Sequence, residues 1–163
     1  MPEAASLVDI GYQDELWIGR GTGTIVWTQI MGLEALPLPE KVPEDVDVTH
    51  MQSPGRSRET IPGLMPVGEA SVEKQYWPTH AGDVLLESLV ALTEAGTPED
   101  VLVEFNIDDG ARRTYRAYVA SYTPSSTVGE KRMATLSLRV FERKATNARV
   151  IAWSSTNPCP SPL

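Results

Sequence analysis

The chain has very little of the residues that usually carry metal or disulfide chemistry. Among 163 residues there is one cysteine, Cys159, and there are two histidines, His50 and His80. A single cysteine cannot form an internal disulfide, and neither histidine has a second ligand at metal spacing. The sequence therefore predicts no disulfide framework, no metal site and no bound cofactor.

Long apolar runs are also missing. No stretch of the sequence approaches the roughly 18 apolar residues that a membrane-spanning helix needs. The acidic start, MPEAASLVDIGYQ, lacks the charged-then-apolar order of a secretion signal. We therefore expect no membrane partner and a cytoplasmic location until assembly.

Catalytic and nucleotide-binding motifs are absent as well. GRGTG, residues 19–23, precedes a strand pattern, whereas a dinucleotide-binding loop follows a strand and opens a helix. NIDDG, residues 106–110, lacks the later glutamate of a calcium loop, and its DG pair indicates a hairpin turn. No serine lies in a G-x-S-x-G motif. The sequence therefore predicts a protein that is not an enzyme.

What the chain does have is the composition of one turn-rich domain. Hydrophobic residues make up 41% of it, and there are 13 prolines and 12 glycines. This length and this apolar fraction suit a single globular domain. We place that domain at residues 1–153 and expect a flexible tail at residues 154–163.

Charge is distributed unevenly along the chain. The net charge of −8 divides into −7 over residues 1–50, −5 over residues 51–100 and +4 over residues 101–163. An excess of acid disfavours tight binding to nucleic acid, which rests on neutralising phosphates. Two interpretations stay open: ordinary solubility, or a head-to-tail contact in which the acidic part of one copy meets the basic part of the next.

Most of the chain follows the patterns of β-strands. One predicted strand, residues 45–51, places Val46 and Val48 on a half-buried face, and in another, residues 68–77, Lys74 interrupts an apolar face. Enrichment in β-branched and aromatic residues, or period-two alternation, predicts the other strands, at residues 22–33, 100–107, 111–122, 131–143 and 148–153.

Residues 79–95 carry the one helix pattern. Thr79 is the expected N-cap, and Asp83 suits the first turn. An apolar stripe follows at helical spacing, formed by Leu85, Leu89 and Leu92. About seven strands and one helix predict a mainly β fold of the α+β class, a β-sandwich or barrel with one packed α-helix.

Three side chains are candidates for contact with another copy. Trp17 lies in what resembles an N-terminal arm, residues 1–20, with too few apolar neighbours to bury it locally. Arg112 and Arg116 share one face of a predicted strand, while Arg113 takes the other. For these arginines, a solvated strand face and a contact between subunits both stay open.

A long polar loop at residues 52–67 interrupts the strands. Loops of this length are uncommon in a compact domain unless they are functional or disordered. Its sequence, with the preceding strand, reads VTHMQSPGRSRETIPGL over residues 48–64. Two short phrases stand out in it: Thr49, Gln52, Ser53, Pro54, Gly55 and Arg56, followed by Ile61, Pro62, Gly63 and Leu64.

These phrases and the order of the elements resemble the phage tail tube proteins of long non-contractile tails, which share their architecture with the tube proteins of type VI secretion. The resemblance implies a structural subunit of hexameric rings that stack head-to-tail into a tube. DNA would pass through the tube during ejection. The implied partners are further copies of the chain, the tape-measure protein, the tail terminator and the distal tail proteins. The implied location is the virion tail, with host cytoplasm during assembly.

On this resemblance the long loop is the expected contact between rings. The expected inter-subunit residues are Ser53, Pro54, Gly55, Arg56, Arg58, Glu59, Ile61, Pro62, Trp17, Arg112 and Arg116. Two alternatives stay open. One is a monomeric β-sandwich that binds a ligand through its aromatic residues, and the other is a tube subunit of a phage-like secretion or gene-transfer particle.

Overall fold

The computed structural model describes residues 13–107 and 111–144. Several sequence-based expectations concern residues beyond these ranges. They are most of the N-terminal arm, the DDG turn at residues 108–110, the edge strand at residues 148–153, and the tail with Cys159.

Nine strands and one α-helix make up the described chain. The strands are β1 (Glu15–Arg20), β2 (Val26–Ile30), β3 (Leu33–Ala35), β4 (Asp45–Asp47), β5 (Thr60–Pro62), β6 (Gly68–Gln75), β7 (Val101–Ile107), β8 (Ala111–Ser125) and β9 (Met133–Arg143), and the helix α1 spans Ala81–Glu94. The expected fold class, mainly β with one helix, is confirmed.

Seven of the strands form one antiparallel sheet. Their order is β2-β1-β7-β8-β9-β6-β3, while β4 and β5 form a separate two-stranded sheet. The two outermost strands, β2 and β3, are joined only by Met31 and Gly32, so the chain passes directly from one edge of the sheet to the other. In the described residues β2 and β3 do not pair, and the barrel is therefore not closed.

The hydrophobic core lies between one face of this sheet and α1. Alternate residues of each strand point into it because successive side chains of a strand face opposite ways. In β6, for example, Ala70 and Val72 are buried while Glu69, Ser71 and Glu73 are exposed. The helix packs mainly on β8, with a smaller contact to β2, and buries Leu86 and Leu89. Burial of these two leucines contributes roughly 1.5–3 kcal/mol each.

The helix begins later than its sequence pattern suggested. Its N-cap is His80 rather than Thr79, and the His80 ring accepts a hydrogen bond from the Gly82 amide. Asp83 does lie in the first turn, but its carboxylate is buried. The N-cap changed because the chain between β6 and the helix places the imidazole, and not the threonine hydroxyl, within reach of a free amide.

Two other expectations are corrected by the strands. Residues 15–20 are not part of an arm, because β1 pairs with both β2 and β7 inside the large sheet. The strand at Asp45–Asp47 is exposed and not half-buried, because it pairs only with β5, away from the core.

Candidate assembly surfaces

The expected long loop is a β-hairpin that stands apart from the core. Strand β4 pairs with β5 in the register Asp45 to Pro62 and Asp47 to Thr60. A single turn of 3-10 helix, Pro54–Arg56, lies at its tip. Gly63 of the IPGL phrase has a physical reason to be glycine: a Cβ there would lie 2.7 Å from Val46 Cγ2 and 3.0 Å from the Glu44 carbonyl.

The tip of the hairpin is held by its own polar side chains. Ser53 Oγ donates to Glu59 Oε2 at 2.7 Å, and the Glu59 amide donates to Thr49 Oγ1 at 3.0 Å. The His50 amide donates to Ser53 Oγ at 3.0 Å. The Thr49 hydroxyl and amide hold the pKa of Asp47 below its usual value. The loop is therefore folded upon itself, and the Glu59 carboxylate, expected to seek a neighbouring ring, already has partners in its own chain.

The hairpin carries several exposed apolar side chains among its charged ones. Met51 is 96% exposed and Leu64 85% exposed. Further exposed apolar side chains lie along the hairpin and at its base, namely Val46, Val48, Ile61, Met65 and Val67. We call these seven side chains the hairpin patch. Val46 and Ile61 are cross-strand neighbours, and exposed apolar side chains that are grouped in this way typically mark an interaction site.

The two arginines of the tip point to solvent. Arg56 and Arg58 are exposed, and neither makes an ion pair within the described ranges. Arg56 has φ of 56°, in the left-handed region that is uncommon for residues other than glycine. The hairpin thus presents two unpaired cations beside an apolar patch.

Trp17 lies in strand β1 and not in an arm. It sits opposite Glu104 of β7, is partly buried within its own chain, and its indole Nε1 donates to Glu15 Oε2 at 2.8 Å. The lack of apolar neighbours along the sequence was misleading, because the neighbours of a central strand come from β2 and β7.

Arg112 and Arg116 differ in their surroundings. Arg116 pairs with Asp100 at 2.7 Å and with Glu142 at 3.2 Å, and its guanidinium lies 4.6 Å from the Phe141 ring centre. Its carboxylate partners hold the pKa of Arg116 above its usual value. Arg112 makes no ion pair inside the described segments and is only partly exposed. The structure therefore places Arg116 in a network within the subunit.

A cleft of about 650 Å³ opens between the base of the hairpin, the start of β8 and the end of β9. Its walls include Lys41, Met65, Arg113, Phe141 and Arg143. The sequence pattern did not reveal it, because its walls come from four segments far apart in the chain. The only signal was the basic C-terminal third.

A buried ion pair was also missed. Lys74 and Asp83 are 0% and 1% exposed in their side chains, and their charged atoms lie 2.6 Å apart. The second carboxylate oxygen of Asp83 accepts hydrogen bonds from the Trp77 amide and the Tyr122 hydroxyl, both at 2.8 Å. Lys74, which seemed to interrupt an apolar strand face, therefore tethers the start of α1 to β6 and β8.

The two histidines lie in different parts of the fold. His50 lies in the hairpin and His80 caps the helix. Among the described residues no group of three or more His, Cys, Asp or Glu side chains is arranged to hold a metal ion.

None of the described helices has both the length and the apolar character to span a membrane.

The sequence model of the lambda phage tail tube protein family (TTP) matches residues 17–146. The chain belongs to this family. The match begins within β1 and ends just beyond β9, and so it covers the helix, the hairpin and all of the described sheet except the first two residues of β1. Membership makes this chain a structural subunit of a tail tube, as the resemblance in its sequence implied.

Solved structures agree with this family in fold. A chain in the tail of an empty gene transfer agent particle, solved with helical refinement and C6 symmetry, shares 19% identity at a TM-score of 0.61. The match covers 81% of this chain and 96% of that one. A chain in the sheath/tube terminator of PVC, an extracellular contractile injection system, matches at 12% identity and a TM-score of 0.61, over 86% of this chain and 98% of that one. No curated protein sequence matches the chain.

Proposed function

We propose that this tail tube subunit forms hexameric rings that stack head-to-tail into a hollow tube in the virion tail, through which DNA passes during ejection. The role is structural and involves no catalysis. Assembly takes place in the host cytoplasm, and the tape-measure protein, the tail terminator and the distal tail proteins are the other partners.

The observation that carries this proposal is the open seven-stranded sheet. Strand β2 forms one of its edges, and Val26 on that strand is 65% exposed. A free edge presents unpaired amides and carbonyls, and closing a ring of sheets between subunits removes such edges. The six-fold symmetry of the similar gene transfer agent tail supports six subunits in the ring.

The hairpin is the proposed contact between rings. The hairpin patch is exposed in the single subunit, and burying it contributes about 25 cal/mol per Å² of apolar area. Arg56 and Arg58 supply charges that a neighbouring acidic surface would neutralise. Ser53, Pro54, Gly55, Ile61 and Pro62 shape the hairpin that carries them. The contacts expected from the sequence at Trp17 and Arg112 remain part of the proposal as contacts with another subunit.

The inner wall of the tube is proposed to be net negative. A conduit for DNA must not bind DNA, and an acidic surface keeps phosphates hydrated and mobile. The net charge of −8 supplies the acidic groups. Counting charges on the lumen wall of a cryo-EM reconstruction of the assembled tube tests this, and a net positive wall would contradict it.

Negative-stain microscopy of concentrated purified protein tests the tube itself. We expect rings about six subunits around, or tubes built from them. Because nucleation can be slow, the same protein is also mixed with fragments of tails isolated from particles, which serve as seeds. A protein that remains monomeric at high concentration with seeds present would favour the monomeric binding-module alternative.

Deletion of residues 53–59 tests the hairpin. We expect a folded subunit that forms rings but does not stack, because the tip lies outside the hydrophobic core. A matched control replaces Thr22 and Thr24, in another exposed turn, by alanine and should stack normally. If the deletion variant assembles full tubes, the hairpin is not the contact between rings, while the tube function itself stands.

A gene-transfer or secretion particle is the second candidate setting. It is supported by the similarity to chains of a gene transfer agent tail and of a contractile injection system. Sequencing the genes beside this one, and identifying what purified particles carry, separates the two settings.

A further inference from the structure

The cleft at the base of the hairpin is partly apolar and has a basic excess, with Lys41, Arg113, Arg116 and Arg143 against Glu40 and Glu142. In the described parts of the chain its cations Lys41, Arg113 and Arg143 make no ion pair, whereas Arg116 is fully engaged with Asp100 and Glu142. The apolar walls are Met65, Val67 and Phe141. The volume, about 650 Å³, lies in the range of roughly 300–1,000 Å³ that accommodates ligands. The cleft therefore suits a small protrusion with one apolar and one acidic side chain.

The aliphatic part of the Lys41 side chain fixes the position of this lysine at the cleft. A Cβ placed on Gly68 would lie 3.1 Å from Lys41 Cγ, so the aliphatic part of the lysine packs on the start of β6. Long cationic side chains often bury their stems in this way and leave the charge free. The ammonium of Lys41 is thus positioned at the cleft without an anionic partner.

The opposite end of the molecule carries a protrusion of that kind. The turn between β8 and β9, residues 126–132, presents Val128 with full exposure and Glu130, which is exposed and makes no ion pair within the described ranges. Lys131 is already paired with Glu34. Glu73 lies opposite Thr135 of β9, and Tyr76 connects Arg132 to Glu87, since its amide donates to the Arg132 carbonyl and its hydroxyl to the Glu87 carboxylate. With Glu130 and the Lys131–Glu34 pair, this end carries four carboxylates and two cations.

The cleft and the turn lie at opposite ends of the same two strands. Arg113 is near the start of β8 and Arg143 at the end of β9, while the turn joins the other ends of these strands. Strand β8 has 15 residues, and at about 3.3 Å per residue the two sites are separated by roughly 40 Å. No subunit can fill its own cleft with its own turn.

We propose that the cleft of one subunit receives the β8–β9 turn of a second copy in the adjacent ring. Val128 packs against Met65, Val67 and Phe141, and Glu130 approaches Arg113 and Arg143. The two surfaces are different and lie at opposite ends of β8 and β9, so the contact is heterologous and generates an open filament. This inference deepens the proposed stacking and depends on it, but it names a specific pair of surfaces separate from the hairpin tip.

Cross-linking tests this pairing on the full-length chain. The background variant carries Cys159→Ser, and cysteines are introduced as Val128→Cys together with Val67→Cys. Under mild oxidation of concentrated protein, we expect a ladder of disulfide-linked multimers that extends beyond six subunits on non-reducing gels. Val128→Cys with Val84→Cys, on the exposed face of α1, is the matched control and should give no ladder.

The cross-linking outcomes distinguish a contact between rings from a contact within a ring, and both from failure of the tube function. A ladder that ends at six would place the contact within a ring and overturn the inference. No ladder, in protein that forms tubes by negative stain, would also overturn it while leaving the tube function standing. If the parent protein forms neither rings nor tubes with seeds present, the proposed function fails as well.

Charge reversal gives a second, independent readout. Glu130→Lys or Arg143→Glu alone should raise the concentration needed for half of the protein to sediment as tubes by at least about tenfold, because like charges then face each other. The two changes together should restore assembly. Glu94→Lys, the same charge change on the helix, is the control. Equal effects of the single and double variants would contradict the pairing.

Discussion

At the scale of single residues, Lys74 and Asp83 form a buried ion pair inside the fold. Both charges are removed from water, which is costly, and the cost is offset by a short ion pair and by hydrogen bonds to every available oxygen. The Lys74 ammonium also donates to the Gln75 carbonyl at 2.6 Å. The cluster joins two strands to the helix, so removal of one partner disturbs three elements at once.

Lys74→Met should lower the free energy of unfolding by about 3–5 kcal/mol, because it leaves a buried carboxylate without its cation. The measurement is urea denaturation followed by circular dichroism. Lys131→Met, which breaks the exposed pair with Glu34, is the matched control and should change stability little. Combining Lys74→Met with Asp83→Leu should recover much of the loss, and a double variant as unstable as the sum of its parts would contradict a coupled pair.

Tyr122 gives the protein a dependence on alkaline pH. Burial, together with the hydrogen bond to Asp83, raises the pKa of Tyr122 well above its ordinary value of 10.0. A group whose pKa is higher in the folded state stabilises the fold below its unfolded pKa, and that contribution is lost as pH rises through the folded value. We therefore expect the free energy of unfolding to fall as pH rises above about 10.

Unfolding by urea at a series of alkaline pH values measures this slope. Tyr122→Phe should flatten it and should also cost about 1.5–3 kcal/mol near neutral pH, where the hydrogen bond to a charged carboxylate is lost. Tyr118→Phe, on the partly exposed face of the same strand, is the control. An unchanged slope in Tyr122→Phe would show that another group titrates.

At the scale of elements, the corner between β2 and β3 decides how the sheet is arranged. Gly32 has φ of 78°, which favours glycine strongly. A Cβ there would lie 3.3 Å from both Gln75 Cβ and the Trp77 ring. The corner thus turns the chain from one edge of the sheet to the other while passing close under the segment that follows β6.

Gly32→Ala should therefore destabilise the protein by about 1–3 kcal/mol. Two causes contribute to this loss: the strain of a positive φ in alanine, and the close approach of the new Cβ to Gln75 and Trp77. Gly23→Ala separates them, because Gly23 also has a positive φ but nothing lies within 4 Å of a Cβ there. Thermal unfolding of both variants measures the difference. Equal losses would mean that backbone strain alone matters and that the close approach at Gly32 is readily relieved.

At the scale of the whole molecule, the two ends differ in chemistry. The cleft carries more basic than acidic side chains, whereas the end with the β8–β9 turn carries more carboxylates than cations. A polar subunit of this kind favours head-to-tail association and disfavours two-fold dimers, because like ends repel.

Stacking should accordingly weaken with salt. Exposed charges are screened beyond about 10 Å at 0.1 M ionic strength and beyond about 3 Å at 1 M. We expect the fraction of protein that sediments as tubes to fall as sodium chloride rises over this range. Sodium sulfate should oppose the fall at equal ionic strength, since it strengthens apolar burial. Assembly that is indifferent to sodium chloride would argue against an electrostatic contact between rings.

Sequence alone determined the class of this protein and most of its elements. Period-two patterns located β6, β8 and β9, because alternate residues of these strands face the core, whereas β7 was found as a strand-like run before a DDG turn and is buried on both faces over part of its length. The helix was found for the same reason. The SPGR and IPGL phrases identified the family, since a turn and a close approach such as that at Gly63 require particular residues.

Only the tertiary structure decided what those elements touch. A central strand such as β1 takes its neighbours from residues nearly 90 positions away, so Trp17 could not be placed from its local surroundings. Lys74 looked like an error in an apolar face because its partner, Asp83, belongs to a different element. The cleft is formed by four separate segments, and Glu59 found its partners inside its own hairpin. Local patterns report local burial, whereas pairing of charges and the shape of a surface depend on distances that only the folded chain defines.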